Sequence, residues 1–354
     1  MIRSLQSLRF VFIYLVVISH FVNRTFDFGG ECGVSFFFML SGFVLSLANA
    51  GRIGQGTYST RGLFMRQLFK VYPLHILTMA IILVMEWRLG NGYSPMVLLT
   101  NVLLVQSWVP SDDFYFVANG SSWFLCDILF FYLLFRILFS CIMTMKRQEM
   151  IISVSAVAVV YILIMCVVPE QLVNPILYAN PMMRILDFCI GILIYRLYRS
   201  SRAHTVRDAL ALMPSWRKTM IEVMLVISVC VLAFVYPELP HRIRTASCFW
   251  FVLPMVILYF ALADDRGGMI TQILHDKRLL WAGTISFEIY LIHIPVVRIT
   301  DSIVAHTGFL ADSDIANFFA YSIVLLLLSV ITRRCFVNPL SNRMNVWYDK
   351  RKTK

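Results

Sequence analysis

Charged residues are scarce in this sequence. Asp, Glu, Lys and Arg together make up 14% of the 354 residues, whereas about a quarter of an average soluble domain is charged. Hydrophobic residues make up 59% of the chain, and its mean hydropathy is +0.75. Such a composition is incompatible with an ordinary soluble surface, and it predicts an all-α integral membrane protein.

Other common signatures are missing too. No small-residue cleavage site follows the first apolar run, so this run is expected to stay as a helix and not to be removed as a signal peptide. The eight cysteines are scattered without metal-ligand spacing, and no metal is expected. Basic and aromatic residues do not interleave as in RNA-binding segments. The net charge of +11 is therefore attributed to membrane-protein loops, and no nucleic-acid partner is expected.

Ten apolar stretches approach the roughly 20 residues that a helix needs to cross a bilayer. The predicted spans are 8–23, 33–49, 71–89, 123–142, 151–168, 181–198, 219–236, 245–263, 279–297 and 315–332. An eleventh stretch, 95–109, is ambiguous because it is short and begins with proline.

The distribution of Lys and Arg decides the eleventh stretch. If 95–109 does not cross, 24 of the 31 basic residues, including all seven lysines, face the side of the N-terminus, and six face the other side. If it crossed, 10 basic residues would face the side of the N-terminus and 20 would face the other side. The positive-inside rule therefore predicts about ten transmembrane helices with both termini cytoplasmic, and 95–109 as a re-entrant or interfacial segment on the outer face.

The first span places a cation and an imidazole on one helix face. Arg9 and His20 are eleven residues apart, close to three turns and about 16 Å along the axis. The spacing suits a long anionic molecule that enters from the cytosol, although chance pairs at this spacing are common. Ionisable residues within spans are costly and are functional candidates by default. The others are Asp127, Arg136, Asp187, Glu222, Glu288 and His293, of which Glu222 is expected to make a structural hydrogen bond.

Six segments carry a family resemblance. They are RFVFIYLVVISH (9–20), GVSFFFMLSGFVLS (33–46), FMRQLFKVYPLH (64–75), SSWFLCDILFFY (121–132), RILDFCIGILIY (184–195) and GTISFEIYLIH (283–293). Each is weak alone, but in this order they resemble the acyltransferase-3 family of bacterial membrane acyltransferases along nearly the whole chain. The resemblance implies one transmembrane acyltransferase domain over 1–335, a basic cytoplasmic tail over 336–354, and a location in the bacterial inner membrane.

The resemblance also implies a reaction. An acyl group, most often acetyl, would pass from cytoplasmic acyl-CoA to a hydroxyl of an envelope carbohydrate such as O-antigen or exopolysaccharide. His20 would act as general base or acyl relay, with Asp127 and His293 as further catalytic residues. A neutral imidazole is suited to this role because it can take the proton of a sugar hydroxyl near neutral pH.

The phosphates of the donor need permanent cations. The resemblance places them at Arg9, Arg66 and Lys70, although Lys70 stands where arginine is common in the family. The expected substrate-lining residues are Ser286, Tyr290, Trp123 and Asp187. Asp127 replaces the usual glutamate of its motif, which shortens the reach of that carboxylate by one methylene.

Two other functional classes remain open. A transporter or exporter would also line a path with polar residues, but no internal repeat is evident in the sequence. A structural subunit would leave the Arg9 and His20 pair without explanation. Ser286, Tyr290 and His293 share one helix face, which would also suit a polar seam between packed helices. The chain ends some 20 residues after the last span, so any second transfer step is expected to need a separate extracytoplasmic partner.

Overall fold

The computed structural model describes residues 2–21, 28–308 and 314–352, and these residues contain helices and turns but no β-strand. The helices are α1 (Arg3–Phe21), α2 (Phe28–Gly54), α3 (Thr60–Arg88), α4 (Pro95–Val102), α5 (Asp112–Tyr115), α6 (Trp123–Thr144), α7 (Arg147–Val167), α8 (Pro181–Tyr198), α9 (Ser201–Leu212), α10 (Ser215–Val235), α11 (His241–Arg244), α12 (Val252–Leu262), α13 (Met269–Leu274), α14 (Lys277–Thr284), α15 (Ser286–Thr307), α16 (Asp314–Thr332) and α17 (Asn338–Lys352).

The ten predicted spans all fall on apolar helices. Seven correspond to helices that are long and apolar enough to cross a membrane by themselves, and two correspond to bent helix pairs. The tenth corresponds to the shorter apolar helix Ser247–Leu262. The protein is therefore a multi-pass membrane protein with seven to nine full-length candidate spans among its described residues. Arg24 and the last two residues of the first predicted span lie outside the described residues.

The ambiguous 95–109 segment forms the short helix α4 and a 3₁₀ turn at Gln106–Trp108. Eight helical residues are about 12 Å long, too short to cross a bilayer core of about 30 Å. Polar contacts fix the segment to α3. The Tyr72 hydroxyl donates to the carbonyl of Val102 at 3.1 Å, and His75 Nε2 donates to the carbonyl of Asn101 at 3.0 Å.

Glycines allow the central helices to approach closely. A Cβ on Gly33 of α2 would lie 2.3 Å from Val16 Cγ2 of α1. A Cβ on Gly42 would lie 2.1 Å from the carbonyl oxygen of Phe188 in α8. Small residues at these contacts are typical of membrane helix packing. Gly33 and Gly42 therefore allow α2 to lie directly against α1 and α8.

Glu222 makes the structural contact expected of it. Its carboxylate accepts hydrogen bonds from the backbone of Gly268 at 2.6 Å and of Ile270 at 2.8 Å, and from the Thr271 hydroxyl at 2.6 Å. The carboxylate thus satisfies otherwise unpaired N–H groups around the first turn of α13 and ties that helix to α10.

The basic tail is helical and packs against α3. After α16 the chain passes through a π-helical turn, Arg333–Val337, and continues as α17. The boundary predicted at residue 336 falls inside this turn. The rings of Phe69 and Tyr348 are 6.0 Å apart, and Arg66 pairs with Asp349 at 3.0 Å.

Cysteine labelling can check which faces are cytoplasmic. The charge distribution leads us to expect that Ser111→Cys, at the start of α5, reacts with an impermeant thiol reagent added outside cells with a permeable outer envelope. Ser201→Cys, at the start of α9, should react only after the membrane is opened. The background must lack the exposed native thiols Cys141, Cys166, Cys230 and Cys335. Labelling of Ser201→Cys from outside would reverse the predicted orientation.

Candidate active site

Arg9, two turns into α1, and His20, near the end of α1, open into different spaces. Arg9 lines an inner pocket of about 90 Å³, whereas His20 lines an outer cavity of about 880 Å³. The larger volume is within the range of small-molecule sites. "Inner" and "outer" follow the predicted orientation, in which the N-terminus of α1 is cytoplasmic.

The outer cavity combines histidine, aromatic and charged side chains. Its wall includes His20, His293, Trp123, Tyr178, Tyr236, Ser121, Glu31, Arg244 and Asp301. Aromatic faces with interspersed polar groups are suited to binding an amphipathic molecule such as a sugar.

The two cavity histidines lie together. Their ring centroids are 5.0 Å apart, with the rings edge to face at 70°. His20 Nδ1 is 2.8 Å from the carbonyl oxygen of Val16, and His293 Nδ1 contacts the carbonyl oxygen of Tyr290. Because a carbonyl oxygen only accepts, these contacts assign the proton of each neutral ring to Nδ1 and the lone pair to Nε2. His293 Nε2 is buried and has no hydrogen-bond partner among the described residues.

The inner pocket is smaller and contains the cations of α1 and α3. Arg9 and Lys70 line it together with Gln67, Tyr132 and Ser286. The Nε atom of Arg9 and the hydroxyl of Ser286 are buried, and neither has a hydrogen-bond partner in the part of the chain that the structure describes. Unsatisfied donors at the end of a narrow pocket are suited to a ligand that supplies acceptor oxygens.

Helix α15 lines both spaces with the face that the sequence spacing predicted. Ser286 borders the inner pocket, Tyr290 borders both spaces, and His293 borders the outer cavity. The Tyr290 ring lies 5.2 Å from that of Phe124 and 5.8 Å from that of His293. Val34 also borders both spaces. Among the described residues, Tyr290 and Val34 are the two side chains that both walls share.

The structure does not place Arg66 in the donor pocket, where the sequence analysis expected it. Arg66 is exposed and pairs with Asp349 of α17. Its spacing from Lys70 suggested one shared site, but the helical tail supplies an acidic partner that draws Arg66 to the surface. The contact that the structure shows for Arg66 therefore joins α3 to the helical tail.

Asp187, predicted to line the substrate site, lies in the wall of neither cavity. It is fully buried and pairs with Arg184 at 2.9 Å. It also accepts a 2.5 Å hydrogen bond from Trp250 Nε1. Arg184 in turn donates to Ser35 Oγ and to the carbonyl of Thr245. This network joins α8 to α2 and to the turn before α12, so Asp187 has a structural position.

Asp127, predicted to be catalytic, is also fully buried and lines neither space. Neither carboxylate oxygen has a hydrogen-bond partner among the described residues. The charge of Arg184 acts on it across the helix packing. Direct contact between Asp127 and a substrate therefore has no support in this geometry. Trp123, one turn earlier on α6, does face the outer cavity as predicted.

Several cavity residues were missed from the sequence. Glu31 precedes the second predicted span. Arg244, the last residue of α11, lies between two predicted spans, and its charge was used only to predict the orientation. The Arg244 side chain contacts the face of Tyr236 at 5.6 Å, and its Nε has no hydrogen bond among the described residues. The position of Glu31, one turn before Val34 on the same helix face, was the available signal. Within the described residues no group of three His, Cys, Asp or Glu could hold a metal ion.

Comparisons with known proteins show which family the chain belongs to. The model of a family described as an acyltransferase domain matches residues 2–334. The acyltransferase MdmB of Streptomyces mycarofaciens is 26% identical over 324 residues, which cover 85% of this chain and 77% of that protein. No solved structure matches the chain.

Proposed function

Because the chain belongs to the acyltransferase-3 family, and is therefore a membrane acyltransferase, we propose that it moves an acetyl group from cytoplasmic acetyl-CoA to a hydroxyl of an envelope carbohydrate. The membrane is proposed to be the bacterial inner membrane. The observation that carries this proposal is the pair of spaces in line along α1 and α15, with cations in one and two histidines in the other.

The donor would bind from the cytoplasmic side. Its phosphates would lie against Arg9 and Lys70, because guanidinium and ammonium groups bind phosphate oxygens strongly when partly shielded from water. The inner pocket is too narrow for the whole nucleotide but suits an extended chain. The pantetheine arm would run through it, and the thioester would reach the outer cavity past Tyr290 and Val34.

The acceptor would occupy the outer cavity. Its hydroxyl gives a proton to Nε2 of His20 as its oxygen attacks the thioester carbonyl carbon. The carbon–sulfur bond then breaks, and the imidazolium returns the proton to the leaving thiolate, which gives CoA and the acetylated carbohydrate. The bond from His20 Nδ1 to the Val16 carbonyl fixes the tautomer that this requires. His293 Nε2, which has no partner among the described residues, would accept a second hydrogen bond from the sugar.

Donor binding gives the first test of this function. Arg9→Ala should weaken CoA binding about tenfold or more, because a charge-assisted hydrogen bond contributes about 1.5–3 kcal/mol. Calorimetric titration of the purified protein in detergent measures this. Arg66→Ala is the matched control, since Arg66 pairs with Asp349 at the surface. The Arg66→Ala variant should bind CoA with the affinity of the parent protein. Equal CoA affinity in Arg9→Ala and the parent would place the donor elsewhere.

An exporter remains the second candidate, because two spaces in line also resemble part of a transport path. Mass analysis of envelope glycans from cells with and without the gene separates the two functions. A transferase predicts loss of an acetyl-sized mass from otherwise normal glycans. An exporter predicts loss of the glycan itself, and that result would contradict the proposed acyl transfer.

A further inference from the structure

Two further charged residues, Arg333 and Glu288, lie beside Arg9 and Lys70, the two cations of the inner pocket. Arg333, in the π-helical turn after α16, pairs with Glu288 of α15 at 3.9 Å. The charges of both residues act on Arg9 and on Lys70. The charges of three cations, Arg333, Lys70 and Arg9, therefore act on the one carboxylate of Glu288. Neither Arg333 nor Glu288 belongs to the basic segment of α3.

Two breaks in helix geometry create this cluster. Helices α14 and α15 meet at a bend of 65°, which places Glu288 in the first turn of α15. Arg333 Nη1 donates to the carbonyl of Thr284 at this bend. The π-helical turn at Arg333–Val337 directs Arg333 towards it, and such turns occur frequently at functional sites.

The cluster is open to a ligand and its charges do not balance. The side chain of Arg333 is 29% exposed, whereas that of Glu288 is 5% exposed. Lys70 is exposed at the pocket. Three cations close together repel one another, and one carboxylate offsets only part of that repulsion. A ligand with several negative charges would offset the rest, and the diphosphate of a nucleotide has this character.

We propose that Arg333 is the third cation of the donor site, where it binds a phosphate group, and that Glu288 is the counter-ion which that phosphate displaces. This inference rests on the proposed function, because it takes the donor to be a nucleotide thioester. Glu288 holds the cations in place when the site is empty. It also competes with the phosphates, which limits how tightly the product CoA is retained.

Titration of the full chain in detergent with CoA, and separately with inorganic pyrophosphate, tests the proposal. Arg333→Gln keeps an N–H donor for the Thr284 carbonyl but removes the positive charge. It should lower the affinity for CoA and for pyrophosphate about tenfold or more. Glu288→Gln keeps the shape of the side chain but removes a negative charge beside the phosphates. It should raise the affinity for CoA and for pyrophosphate about threefold or more. A structural role alone would not tighten binding.

Arg334→Ala is the matched control. Arg334 is the next residue of the same turn, is exposed, and makes no side-chain hydrogen bond or ion pair among the described residues. Its CoA affinity should equal that of the parent. Unfolding midpoints measured without ligand show whether each variant is folded. If Arg333→Gln is not folded, the CoA affinity of Glu288→Gln tests the proposal by itself.

The outcomes separate this inference from the proposed function. If the parent binds CoA but Glu288→Gln binds it equally or more weakly, Glu288 is not the displaced counter-ion. If Arg333→Gln retains the parent affinity, Arg333 is not a donor ligand, while the acyl-transfer function stands. If the parent protein binds no CoA, the proposed function fails and the role of both residues fails with it.

Discussion

His20→Ala is expected to abolish acyl transfer while leaving the protein folded. His20 is exposed within the outer cavity, so truncation removes little packing. A positioned general base typically contributes about 10²–10⁴-fold to the reaction rate. His20→Ala removes the imidazole that is proposed to act as this base. The acetate content of envelope glycans and the consumption of acyl-CoA in reconstituted vesicles measure the loss.

His306→Ala is the matched control for this experiment. His306 lies on α15, is exposed, and has the same local contact as His20, from Nδ1 to the carbonyl four residues earlier, at 2.7 Å. It lines neither cavity, so its activity should equal that of the parent. Near-normal transfer by His20→Ala, at equal protein level, would show that the imidazole is not the base.

Removing Arg184 is expected to give the largest loss of stability. Arg184 and Asp187 are completely buried and paired at 2.9 Å. Arg184→Met leaves the Asp187 carboxylate without its cation in a low-dielectric interior, and such a change typically costs about 3–5 kcal/mol. The substitution also removes the two hydrogen bonds that the Arg184 guanidinium donates to Ser35 Oγ and to the Thr245 carbonyl. Denaturant unfolding in detergent measures the free energy of unfolding.

A double variant separates charge from packing. Arg184→Met with Asp187→Leu removes both ions, and replacing a buried pair with apolar residues is often close to neutral. It should recover most of the stability that the single change loses. Arg66→Ala is the control, because it breaks an exposed pair whose contribution is about 0–1 kcal/mol. Full stability of Arg184→Met would contradict the structural role of this pair.

The apolar helices and the histidine face could be predicted from the sequence. Hydropathy depends on local composition, so every predicted span coincides with an apolar helix. Helical periodicity depends only on spacing, so Ser286, Tyr290 and His293 do share a face that runs from the inner pocket to the outer cavity. Arg9 and His20 likewise lie on one helix, and their side chains line different spaces.

The partners of the charged residues could not be predicted in this way. Arg66 and Lys70 are one turn apart, yet only Lys70 lines the inner pocket, because Asp349, 283 residues after Arg66 in the chain, pairs with Arg66 at the surface. Asp187 resembled a cavity residue, but Arg184 and Trp250 bury it. The sequence determined which segments enter the membrane and which faces are polar, since both are properties of neighbouring residues. Only the tertiary structure decided which cation meets which carboxylate, because those contacts join helices that are distant in the chain.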